Sequence, residues 1–424
     1  LEKLLIQMAR IVDSVNGRDE TGDILIENGK ITAIGKKIDC PDAKKLWADG
    51  LVAAPGLVDM HVHLRDPGFT EKEDILTGCK AAAAGGVTSL LCMPNTKPTI
   101  DTPDTVRYIL EQAEQADARV YVAAAITQGL RSEQLNDLSA LKEAGAIALS
   151  DDGRPVVDSR LMAQAMQAAP GLGLCVVSHC EDLFLSKGGL MHEGVVSQEL
   201  EVPGVPASAE DCGTAREIAL AEAYGVPIHI CHVSSRTSVA MIRDAKRRGV
   251  RVTAETAPHY FSLTDELLRA KDADYRMSPP LRTERDRQAV IEGLQDGTID
   301  AIATDHAPHT PLDKANFASA PNGSIGMETS LAAGITYLVQ PGLLTLGDLL
   351  RLMSAAPARL LNIPAGALLA GRSADLVLFD EKEKWTVDPD KLHGKSRNAV
   401  FKGRTLRGKV KYTVCRGKIV YRDT

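Results

Sequence analysis

No stretch of the chain approaches the roughly 18 consecutive apolar residues that a membrane-spanning helix needs, and charges run through its first twenty residues. Neither a transmembrane helix nor an export signal is therefore expected, and a cytoplasmic location is the default. Lys/Arg-rich runs are missing as well. With 49 Lys+Arg against 56 Asp+Glu the formal net charge is −7, which offers no footprint for nucleic acid or an anionic membrane surface. Small neutral or anionic molecules remain as ligands. The eight cysteines are scattered without a C-x-x-C pair, so they read as buried small hydrophobes rather than disulfide staples or a thiolate metal knot. What is present is ordinary: 424 residues, 44% hydrophobic and 25% charged, which excludes disorder for the bulk of the chain. That length accommodates an α/β barrel of about 250 residues with an appendage.

The two ends of the chain share a texture that the middle lacks. Residues 23–34 set two alternating runs around Asn28-Gly29, a strong hairpin signal, and residues 374–380 and 411–421 repeat the habit with Arg416-Gly417 at a turn. The ends are expected to pair into one small β domain. Between them short apolar runs alternate with helical patterns, as βα units do. The expected strands are 57–61, 87–92, 120–124, 146–150, 174–179, 228–232, 251–255 and 301–305. The expected helices are 71–84, 102–116, 132–143, 159–168, 208–224, 235–247 and 284–295, with Ser208 and Ser235 as start signals. Eight strands is the barrel number. The expected fold is thus an α/β (β/α)8 TIM-like barrel of residues 55–364, with a small β-sandwich domain composed of residues 1–54 and 365–424.

Catalytic groups of a barrel enzyme sit at the carboxyl ends of its strands. Polar residues gather there: His61 and His63 on the first strand, Asn95 after the second, Asp151-Asp152 after the fourth, His179, His232 and His259 on the fifth to seventh, and Asp305-His306 on the eighth. Of the ten histidines only His192, His229 and His393 fall away from these ends. Because strand side chains alternate, His61 and His63 share a face about 6.6 Å apart, a spacing that chelates one cation. Imidazoles and carboxylates without thiolates suit a catalytic Zn2+ with an open position. Four histidines and two carboxylates exceed the needs of one tetrahedral ion, so a two-metal centre with a bridging carboxylate follows. By parity only one of Asp151 and Asp152 can point inward, and the apolar run before them leaves the choice open. By the same parity His229, Cys180 and Cys231 are expected to face away from the ligands. Asp305 is the candidate proton carrier, and Arg65, two after His63, offers a guanidinium fork to a carboxylate. The small and polar residues 310–320 read equally as a lid or as a plain loop.

Five motifs together resemble the class I bacterial dihydroorotases of the amidohydrolase superfamily: His61-Val-His63-Leu-Arg65-Asp-Pro-Gly68, Met93-Pro-Asn95-Thr96, Ser150-Asp151-Asp152-Gly153, Ser278-Pro-Pro-Leu-Arg282 and Ala303-Thr-Asp305-His306-Ala-Pro-His309. The resemblance implies reversible, zinc-dependent cyclisation of N-carbamoyl-L-aspartate to L-dihydroorotate in pyrimidine biosynthesis, by attack of a metal-held hydroxide on the cyclic amide. By motif it assigns His61 and His63 to a first zinc, His179 and His232 to a second, Asp152 as bridge, and Asp305 as ligand and acid/base. It assigns Arg65, Asn95 and His309 to the substrate carboxylate, Ser278 to a further substrate contact, and backbone groups around Asn322 and Gly323 to the ring. Relatives that bridge their metals with a carbamylated lysine carry that lysine on the fourth strand, and residues 147–153 contain none. Ser278 departs from the family, many of whose members have asparagine there. A homodimer, sometimes bound to an aspartate carbamoyltransferase, is the family habit.

Overall fold

Eight parallel strands line up in chain order: Leu57–Val62, Val87–Cys92, Arg119–Ala124, Ala148–Leu149, Cys175–Ser178, Ile228–Ile230, Val252–Thr256 and Ala301–Ile302. The computed structural model describes residues 3–423 of the chain. The strands are short apolar runs because both faces are covered; all six positions of Val87–Cys92, for example, are buried. One face, with Val58, Met60, Leu91, Ala123, Val177 and Ala301, fills the barrel interior. The other packs on the surrounding helices. The eighth strand is too short to close the barrel by a regular ladder. Closure comes from the chain just beyond it: Thr304 N–H and Oγ1–H donate to the Asp59 carboxylate at 3.0 and 2.5 Å, and His63 N–H donates to the His306 carbonyl at 2.8 Å.

The expected helices are present, with ends decided by capping. Asp158 and Ser235 cap Ser159–Ala168 and Arg236–Arg247 with side-chain hydrogen bonds. Ser208 is the first residue of Ser208–Tyr224 but makes no capping bond, so that start signal was read for the wrong reason. The helix expected over 132–143 begins only at Leu138, because Leu130 and Ser132 adopt φ of +56° and Asp137 supplies the cap. The helix expected from residue 71 begins at Ile75, after its capping residue Asp74.

Strands from the two ends form a separate mixed sheet. Lys3–Asp13, Arg18–Glu27, Lys30–Gly35, Lys44–Trp47 and Val52–Pro55 come from the first end, and Leu376–Thr386, Thr405–Cys415 and Lys418–Arg422 from the other. The halves join where Leu376–Phe379 pairs antiparallel with Val52–Pro55, over a core that includes Ile6, Ile24, Ile26, Leu376, Leu378 and Val414. Both expected tight turns have two consecutive residues at positive φ, Asn28 and Gly29 at +51° and +78°, Arg416 and Gly417 at +54° and +76°. That backbone matches the twist of the strands it connects.

Candidate active site

The mouth at the carboxyl ends of the barrel strands gathers the chemistry. Along the first strand Val58 and Met60 face the interior, then a register shift between Asp59 and Val62 turns His61 toward the mouth. His61 Nε2 lies 3.2 Å from Asp152 Oδ1 and 3.5 Å from Asp305 Oδ1, and His63 Nε2 lies 3.4 Å from Asp152 Oδ2 and 3.1 Å from Asp305 Oδ1. On the other flank of Asp152, His179 Nδ1 and His232 Nε2 sit 3.5 and 3.8 Å from Oδ1, and 2.8 Å from each other. Asp152 therefore stands between two histidine pairs, with Asp305 beside the first.

Asp151 and Asp152 part company as parity requires. Asp151 turns away and accepts hydrogen bonds from the Ile126 and Thr127 backbone and the Thr127 hydroxyl. His232 reaches the mouth because its strand ends at Ile230 and the backbone kinks to φ +38°; Asp305 sits at +50°. Both are sterically costly conformations for residues with a Cβ.

That kink corrects two expectations. His229 and Cys231 do not face away: Cys231 belongs to the barrel interior, with its sulfur grouped with His61 and Glu255, and His229 Nε2 lies 3.2 Å from Glu255 Oε2. Parity holds along the regular strand, and it is His232 that departs from it. Cys180 does pack outward, in the helix-facing core. His259 is buried on the short helix Pro258–Ser262, outside the cavity lining.

Further oxygens hold the imidazoles from behind. His61 Nδ1 pairs with Glu255 Oε1 at 2.9 Å, His179 Nε2 with Glu181 Oε2 at 2.7 Å, and His63 Nδ1 with Asn95 Oδ1 at 2.8 Å. Such partners fix the tautomer and aim the opposite nitrogen. Burial alone would raise the pKa of Glu255 and Glu181, but their histidine partners outweigh it and bring each to about 2. Neither glutamate was singled out from sequence. The signals were there: Glu181 is two after His179, as His63 is two after His61, and Glu255 stands at the end of an expected strand.

The donor set fits cations. His61 Nε2 and Asp152 Oδ1 are buried without a hydrogen-bond partner, and the ligand atoms of His61, Asp152 and His232, and of His61, His63 and Asp305, lie within 4.8 Å of one another. Burial works against the charges of Asp152 and Asp305, yet the imidazoles hold both carboxyls well below the usual range. Against the same penalty, Asp152 and Asp305 raise His61, and Asp152 together with Glu181 brings His179 to about 10. Ionised oxygens facing imidazoles that retain protons are the arrangement a divalent ion displaces.

Above this cluster a cavity of about 300 Å³ is lined by Arg65, Asn95, Ser278, His309, Asn322 and Gly323 together with His63, Asp152, His179, His232 and Asp305. Arg65 takes φ +62°, donates from Nε to the Pro308 carbonyl at 3.1 Å, and has no carboxylate within salt-bridge distance among the described residues. Burial lowers its pKa to about 10, so it stays charged at neutral pH. His309 donates from Nε2 to the Asn322 carbonyl at 2.9 Å, and burial together with the adjacent Arg65 pushes its pKa to about 2, which keeps it neutral. Residues 310–320 are tied down at Lys314, whose ammonium donates to the Ala273 and Pro321 carbonyls at 3.1 and 2.7 Å.

A parallel barrel with histidines and carboxylates at its mouth and a sheet from both chain ends defines a hydrolase of the metal-dependent amidohydrolase type. An amidohydrolase family model matches residues 204–421, and a dihydro-orotase-like model matches residues 50–238. Proteins named dihydroorotase from Geobacter metallireducens and Syntrophus aciditrophicus are each 50% identical to it, over 99% of this chain and 99% and 100% of theirs. Among solved structures, a dihydropyrimidinase from Brevibacillus agri superposes with a TM-score of 0.86 at 26% identity, covering 99% of this chain and 95% of that one. An L-hydantoinase from Arthrobacter aurescens shares the fold with a TM-score of 0.87 at 24% identity, over 100% and 96%. The chain belongs to the dihydroorotase family.

Proposed function

We infer that the chain is a dihydroorotase that interconverts N-carbamoyl-L-aspartate and L-dihydroorotate over two zinc ions. The carrying observation is Arg65, a half-buried residue whose guanidinium has no carboxylate partner among the described residues, lining the cavity that has Asp152 and Asp305 in its wall. A cyclic amide bearing a carboxylate satisfies that charge; hydantoin and allantoin, the substrates of the nearest rival enzymes, bear none.

His61, His63 and Asp305 would hold one ion, His179 and His232 the other, and Asp152 would bridge. Bound there, the ions supply an activated water and positive charge against the developing oxyanion. Arg65 anchors the substrate carboxylate, and Asn95, whose oxygen is engaged by His63, has its amide N–H groups left for the same end. Asn322, Gly323 and Ser278 border the ring. This anchoring lays the reacting amide over the metals, an orientation effect that can be worth several kcal/mol. Asp305, held ionised, takes the proton from the attacking water and returns it to the departing ring nitrogen. Biosynthesis runs the same steps backward. Residues 1–54 and 365–424 as one β domain, residues 55–364 as the catalytic barrel, a cytoplasmic homodimer and association with an aspartate carbamoyltransferase complete this reading.

Assay of the purified protein on dihydroorotate, hydantoin and allantoin side by side tests it, with dihydroorotate expected to be turned over fastest. His61→Ala should lower turnover at least about a hundredfold and lower bound metal, with the circular dichroism of the fold retained. Undiminished turnover by metal-stripped enzyme would overturn the mechanism.

A further inference from the structure

We propose that Asn398, contributed by the chain as it returns from the terminal sheet, is a positioning residue for the carboxylate end of the substrate cavity; this rests on the dihydroorotase reading above. Asn398 is 3% exposed and touches two backbone arms that are adjacent in space and separate in sequence. Its Oδ1 accepts from the His309 N–H at 3.1 Å, and its Nδ2 donates to the Ala307 and Gly323 carbonyls, each at 3.0 Å. Its own carbonyl accepts from the Ser324 hydroxyl at 2.9 Å and the Ile325 N–H at 3.0 Å. A backbone N–H can only donate and a carbonyl only accept, so these partners fix the orientation of the amide.

The two arms carry the cavity wall. The first presents His309 and, through the Pro308 carbonyl, holds Arg65 Nε. The second presents Asn322 and Gly323, and they meet so closely that a Cβ on Gly323 would stand 2.6 Å from that of Ala307. Near the cavity the His309–Asn322 bond and Asn398 span them with side-chain hydrogen bonds; farther from it His306 Nδ1 accepts from the Gly326 N–H at 3.1 Å, and the Ala307 N–H donates to the Ser324 carbonyl at 2.9 Å. The same returning segment also grips the loop after the first strand, where Ser396 Oγ donates to the Lys72 carbonyl at 2.7 Å. None of these bonds reaches a side chain of the proposed metal centre. Losing Asn398 should therefore loosen the carboxylate receptor and spare the ions.

The test compares wild type, Asn398→Ala and the milder Ser324→Ala by steady-state kinetics on dihydroorotate, with zinc per chain measured in parallel. The expected result is a KM raised about tenfold or more in Asn398→Ala and less in Ser324→Ala, with kcat within about threefold and zinc unchanged. Should Asn398→Ala fail to fold, Ser324→Ala decides. An unmoved KM in the folded variants overturns the inference, as does a joint fall of kcat, zinc content and thermal stability, which marks a merely structural residue. A wild type silent toward dihydroorotate sinks the underlying reading; an active wild type with an unmoved variant KM sinks this inference alone.

Discussion

Glu255 does not line the substrate cavity, yet imidazoles occupy both of its oxygens: His61 on one and His229 on the other, with His229 Nδ1 in turn 2.9 Å from Thr253 Oγ1. The pairing aims His61 Nε2 at Asp152 and adds negative charge behind a proposed metal ligand. Glu255→Gln keeps the shape and removes that charge, and one of its two ends then meets an imidazole as a donor. Metal affinity should fall about 10- to 100-fold, read by competition with a chelator of known affinity. An unchanged affinity would show that the carboxylate has no part in holding the ion.

At the scale of elements, the barrel and the returning chain are latched at His393, whose N–H donates to Glu328 Oε1 at 2.7 Å and whose Nδ1 lies 2.8 Å from Oε2. The hydrogen bond to Glu328 raises the His393 pKa above its ordinary value against a smaller cost of burial. A histidine raised in the folded state contributes stability that is full below its unfolded pKa of about 6.5 and lost as pH rises through the folded value. The latch is partly exposed, so solvent screens it and the effect is modest. His393→Gln should abolish this component: the melting-temperature gap between wild type and variant narrows from pH 5.5 to pH 8.5 in calorimetry. A gap independent of pH would contradict the assignment.

For the whole molecule, the proposed ligands come from five different strand ends, so an ion that binds them binds the closed barrel and not the unfolded chain. Stabilisation by such an ion grows with its free concentration, about 2.7 kcal/mol at a hundredfold excess over the dissociation constant. Dialysis against a chelator should lower the melting temperature by several degrees, and added zinc should restore it. A melting temperature indifferent to metal would mean that the clustered imidazoles and carboxylates do not bind one.

Local chemistry was legible in the chain. Two-sided burial made each barrel strand a short apolar run, the Asn-Gly and Arg-Gly pairs marked their turns, and imidazoles or carboxylates at most of the strand ends pointed to a candidate cation site. Helix 132–143 was misjudged at its start because periodicity does not register a backbone forced to positive φ at Leu130 and Ser132. Alternation, the rule used to aim side chains, holds only while a ladder is regular. The register shift before Val62 and the kink at His232 reset it, which is why His229 and Cys231 were aimed wrongly and His232 correctly for a reason the rule does not contain. The supporting contacts, His61 with Glu255, and His309 and Gly323 with Asn398, join residues between 75 and 194 positions apart. Pairing across such separations depends on how elements pack, so residue types in the chain specify what chemistry is available, while the folded barrel alone decides which groups meet.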